Sequence, residues 1–195
     1  MTPGIIILVA TVLCFLVLGL VLILRKPTLP KGSKITIESE GREIHTIFAC
    51  GDSGKNRDIA TTSVKAIEAT ITAWKLVHLE VPDFDEICVL IQSESTMQTT
   101  AKAWGFRNLY GFVSSLRSSF FQKAIPLITI AETQTDSTLS QGALVIHEML
   151  HILNDDYVGG KDDHSNSLIW DDSATDLPNV QKTANTLYQA SIKLQ

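Results

Sequence analysis

The stretch HEMLHILNDDYVGGKDDHS, running from His147 to Ser165, decides how this chain is read. His147, Glu148 and His151 stand in the pattern H-E-x-x-H. One α-helical turn takes about 3.6 residues, so positions four apart point nearly the same way. On a helix the two imidazoles therefore converge on one metal ion. Glu148 lies about 100° round from His147, within reach of a water on that ion but not itself a ligand. Neutral histidines leave Zn²⁺ its positive charge, which acidifies a bound water and polarises a carbonyl. In a chain of this composition the pattern has a chance expectation of about 0.006. Two histidines merely decorating a helix are therefore the weaker reading.

The surrounding residues supply the helix. In DSTLSQGALVIHEMLHIL, Thr138 and Gln141 have the spacing of a capping box, and Ala143, Ile146, Leu150 and Leu153 form a buried stripe. A zinc site of this kind needs a third protein ligand. No Glu follows Glu148, and of the five histidines only His164 follows the helix, 13 residues beyond His151. Gly159 and Gly160 allow the intervening loop to turn back under the helix. Asp162 and Asp163 compete, because carboxylate oxygens also bind zinc. Histidine is the softer and rarer ligand here, which favours His164 and leaves the aspartates as alternatives.

The chain is acidic overall, with a formal charge of −5, and the excess is local. From Glu148 to Asp176 eight acidic residues face one Lys161, a window of −7. Such a field attracts cations and repels phosphate, so no nucleic acid is expected as a partner. The run NDDYVGGKDD is rich in oxygen ligands for Ca²⁺, although it lacks EF-hand spacing.

Residues 4–24, GIIILVATVLCFLVLGLVLIL, carry no charge over 21 positions, enough for one helix across a bilayer. No basic n-region and no small-x-small site accompany them, which argues against a cleaved signal peptide. The expected organisation is a transmembrane anchor at 1–24, a polar linker at 25–34 and one domain at 35–195. Arg25, Lys26, Lys31 and Lys34 all follow the span and no Lys or Arg precedes it. The charge rule then predicts a single-pass membrane protein with its soluble domain on the cytoplasmic side.

Within the domain, KITIESEGREIHTIFAC alternates as a hairpin turning at Glu40-Gly41, with His45 an ordinary strand residue. Ser63, Ile67, Ile71, Trp74 and His78 recur at helical intervals over 58–78, and His78 suits packing or capping better than ligation. EICVLIQ (86–92) and PLITIAE (126–132) read as strands. NLYGFVSSL (108–116) reads as a strand whose glycine marks a bulge or a close backbone approach. LPNVQKTANTLYQASIKL closes the chain as a helix with a stripe of Val180, Ala184, Leu187, Ser191 and Leu194. ACGDSGKN (49–56) imitates a phosphate-binding loop, but Ala49 and Asn56 replace its first Gly and its Mg²⁺-binding hydroxyl.

HEMLHIL followed by HSNSLIW resembles the metzincin zinc peptidases, matrixins in particular, whose third histidine is followed by Ser and then a Met-turn. The resemblance spans roughly residues 60–190, with its specific motifs confined to 147–170. It implies an α+β zincin-like domain: a twisted mixed sheet and an active-site helix, here preceded by a single transmembrane helix. It implies Zn²⁺ on His147, His151 and His164, with Glu148 as the catalytic general base and a protein or peptide as substrate. The chain departs from the family at Asn154, which replaces a Gly and is expected to end the helix in the left-handed conformation. It departs also at Ile169, where the Met of the Met-turn belongs, and in a loop seven residues longer before the third histidine. Tyr157 or Tyr110 would be available to an oxyanion. Two other readings are a non-catalytic, membrane-tethered zinc-binding domain and a Spartan-like minigluzincin protease.

Overall fold

The computed structural model describes residues 11–17, 34–39, 42–50, 56–82, 86–107, 109–116, 125–131, 140–155, 164–170 and 179–193. They form an α+β fold around one mixed sheet. Strands β1 (Lys34–Ser39), β2 (Arg42–Cys50), β3 (Glu86–Gln92), β4 (Gly111–Leu116) and β5 (Ile125–Ala131) lie in the order β1-β2-β3-β5-β4. The middle three are parallel, and the edge strands β1 and β4 run against them. β1 and β2 pair from Lys34↔Ile47 to Ser39↔Arg42, the expected hairpin, and His45 pairs Thr36 within it.

Four helices accompany the sheet: α1 (Asn56–Leu76), α2 (Glu94–Trp104), α3 (Gln141–Leu153) and α4 (Val180–Lys193). One face of the sheet presents Ile87, Val89, Ile91, Ile128 and Ile130 to a core completed by α1, α3 and α4. Ser63, Ile67, Ile71 and Trp74 of the α1 stripe are all buried. His78 is not part of that stripe: it is exposed, stands beyond the helix end in the left-handed region (φ 58°), and its amide donates to Lys75 O at 2.9 Å. That is a helix-terminating position, which relieves the last carbonyls of α1.

Two helix boundaries differ from the sequence reading. α3 is capped by Ser140, whose hydroxyl accepts from the Ala143 amide, and not by Thr138 with Gln141. Gln141 is already the first helical residue, so only a residue immediately before it can act as N-cap. At the other end Asn154 is the C-cap as expected, but in right-handed geometry (φ −83°, ψ −4°), and Asp155 takes the left-handed position at φ 53°. Helix α2 was not expected. Its segment ESTMQTTAKAW has only Met97 and Ala101 buried, too thin an apolar stripe to stand out. Local chemistry holds it instead, with Ser93 accepting from Thr96 N and Gly105 closing the end at φ 81°.

α4 packs closely on α3. A Cβ at Gly142 would run into the ring of Tyr188, so only glycine lets these helices meet there. Burial pushes the Tyr188 phenol up, and a hydrogen bond with Thr62 opposes that in part. Residues 11–17 are helical, with Val12, Leu13, Phe15, Leu16 and Val17 exposed. Among the described residues no helix is long and apolar enough to cross a membrane. The rest of the predicted span 4–24 lies outside the described residues.

Candidate metal centre

Helix α3 is buried on nearly every side: Leu144, Val145, Ile146, Met149, Leu150, Ile152 and Leu153 are all core. Two polar side chains share that environment, Glu148 at 6 % exposure and His151 at 7 %. Charged and hydrogen-bonding groups seldom sit so deep without a partner, which marks them as functional candidates. His147, one helical step before Glu148, is half-buried.

His164 joins the pair from the segment 164–170. One nitrogen from each of His147, His151 and His164 lies within 4.8 Å of the others. His151 Nε2 and His164 Nε2 are 3.4 Å apart. That is beyond the usual hydrogen-bond range of about 2.7–3.2 Å. It matches two ligands about 2.0–2.1 Å from one tetrahedral ion, whose nitrogens stand roughly 3.4 Å apart. Three imidazoles suit Zn²⁺ and other borderline metals, and a three-ligand set leaves a fourth position open. The residues present therefore fit the ion. Asp162, Asp163 and Tyr157 lie outside the described residues. Tyr110 is half-buried, and its carbonyl accepts from Ala131 N at 2.9 Å.

The residue that sequence reasoning missed is Trp170. Its fully buried ring contacts all three histidines, with centroid distances of 5.2 Å to His147, 4.7 Å to His151 and 4.3 Å to His164. Ile169, which stands where the Met of the Met-turn belongs, is buried with Trp170 in the main core. The signal lay one position further along SLIW, where the larger and flatter side chain covers more of the cluster.

Backbone hydrogen bonds hold this floor. Asn166 O accepts from the amides of Ile169 and Trp170, each at 3.0 Å, and Asn166 Oδ1 accepts from Leu168 N at 3.1 Å. The carbonyls of Leu168 and Ile169 accept from Val180 N (2.9 Å) and Gln181 N (3.0 Å). Asn179 donates through Nδ2 to Trp170 O at 3.0 Å and accepts from Lys182 N at 2.9 Å. The first amides of a helix have no partner within it, and here the loop below the histidines supplies them.

Glu148 lies beneath the edge strand. A Cβ on Gly111, the first residue of β4, would stand 2.6 Å from Glu148 Oε1 and 3.2 Å from its Cγ and Cδ. The glycine of NLYGFVSSL thus marks a close approach, between the sheet edge and the carboxylate. Gly111→Ala is expected to push the Glu148 side chain aside and leave the three histidines where they are. Metal content should hold while any metal-dependent turnover falls at least tenfold, the size of effect that a small misplacement of a catalytic group produces. Metal analysis and steady-state kinetics on one preparation check both halves.

No known protein family matches the chain, and neither does any curated protein or solved structure.

Proposed function

We propose that the chain is a membrane-anchored zinc endopeptidase of metzincin-like architecture, its domain on the cytoplasmic side. The observation that carries the reading is the meeting of three histidines with a buried carboxylate under the first residue of an edge strand. His147, His151 and His164 would hold Zn²⁺. When bound, the ion supplies an acidified water and polarises the scissile carbonyl. Trp170 keeps the three imidazoles facing one point and closes the site from below. Glu148, desolvated between α3 and β4, accepts the proton of the attacking water on its carboxylate and returns it to the leaving amine.

β4 gives the substrate its direction. Among the described residues it ends the sheet, which offers its outer row of backbone N–H and C=O groups to an extended peptide. A peptide added there as a further strand passes beside Gly111, with its backbone over Glu148. Peptide hydrolysis by the purified chain is expected to stop with a zinc chelator such as 1,10-phenanthroline. Zn²⁺ added at the stoichiometry of the protein should restore it. Hydrolysis that survives complete removal of metal would overturn the reading.

A further inference from the structure

In contrast to the acidic window, an earlier stretch of the sequence has the opposite charge. From residue 95 to 131 there is no Asp or Glu, while Lys102, Arg107, Arg117 and Lys123 give +4 in a chain of net −5. Part of that segment, KAWGFR (102–107), is exposed at all six positions. Trp104 is 54 % and Phe106 55 % exposed. The turn that displays them is well built. Gly105 adopts φ 81°, Phe106 N donates to Ala101 O at 2.9 Å and Gly105 N to Lys102 O at 3.3 Å. This left-handed helix ending sets two aromatic side chains on either side of one glycine. The Trp104 ring also rests edge-on against Phe112 of β4, centroids 4.9 Å apart, which holds it outward.

Six successive exposed residues make a projection, and a peptide subsite is concave. Trp between Lys and Arg is the composition of a side chain group at a membrane–water boundary. The indole sits at headgroup level there, and the cations meet anionic lipid. Topology places the projection suitably. β1 and β4 both run against the three parallel strands, so both begin at the same end of the sheet. β1 begins at Lys34, nine residues after the apolar segment 4–24, a linker that reaches at most roughly 30 Å. Five strands span only roughly 19 Å from edge to edge.

We infer that KAWGFR is a second membrane contact, in which Trp104 and Phe106 enter the interface of an anionic bilayer while Lys102 and Arg107 hold its headgroups. This rests on the reading of residues 4–24 as an anchor and not on the peptidase chemistry. It places the start of β4, and with it Gly111 and Glu148, close to the bilayer surface.

The test uses the full chain in phosphatidylcholine–phosphatidylserine vesicles whose acyl chains carry bromine near the headgroups. The chain has three Trp, and Trp74 and Trp170 are buried, so quenching by bromolipid reports on Trp104. Trp104→Phe, which removes that signal, confirms the assignment. The expected result is quenching in anionic vesicles, with a blue shift and loss of access to aqueous iodide. Lys102→Gln and Arg107→Gln should each weaken tip insertion by roughly fivefold. Trp104 left open to iodide and untouched by bromolipid, in a chain that resists alkaline extraction, overturns the inference while the anchor stands. Quenching in a chain that alkali extracts removes the anchor and, with it, the inference that KAWGFR is a second contact. Shielding of Trp104 by an apolar peptide, with no bromolipid quenching, would make the tip a peptide subsite and overturns the inference as well.

Discussion

Glu148→Gln is expected to lower kcat/KM for peptide hydrolysis by about 10²–10⁴, the usual contribution of a positioned general base. Metal content should remain that of the wild type. Glutamine has nearly the same shape, so it fits the space between α3 and the backbone of Gly111 without opening a cavity. It cannot accept the proton of an attacking water. The carboxylate is 6 % exposed, which removes solvent as a ready substitute base. Inductively coupled plasma analysis and kinetics on one sample separate the two effects. Full activity in the variant would remove Glu148 from the mechanism, and lost metal would recast it as a ligand.

His164→Ala tests the other half of the site. Metal affinity should fall by more than the roughly 10–100-fold that follows loss of an outer-shell partner, because one of the three proposed ligands is gone. The surrounding loop should survive, since it is held by Asn166 and Asn179 through hydrogen bonds that do not involve the imidazole. Competition against a chromophoric chelator measures the change, and Asp162→Ala and Asp163→Ala serve as controls. Wild-type affinity in His164→Ala, together with a large loss in either aspartate variant, would move the third ligand to that aspartate.

Much of the architecture was legible because its determinants are local. Alternation located β1 and β2, short apolar runs located β3 and β5, and 3.6-residue spacing located α1, α3 and α4. Spacing alone also put His147 and His151 on one face of α3. What escaped had little local signature. Helix α2 relies on a serine cap and a left-handed glycine around a mostly polar segment. Trp170 became part of the site only through a return of the chain, and no periodicity within SLIW distinguishes it from Ile169. The helix end at 154–155 shows a limit of propensity: Asn tolerates the left-handed region, yet the hydrogen bond from Asn154 N to Leu150 O continues the helix one residue further. Asp155 therefore makes the turn.

Hydrogen bonds that run from Leu168, Ile169 and Trp170 to the start of α4 tie two distant properties together. The loop that presents His164 and Trp170 to the site is also the cap of the last helix. An ion held by His164, as proposed, would therefore restrain α4, and the docking of α4 would reciprocally preorganise His164. By mass action, an ion present at a thousand times its dissociation constant would add about 4 kcal/mol to this joint unit. Helix α4 would then be coupled to the proposed ion, and loosening it from α3 would weaken the ion's hold.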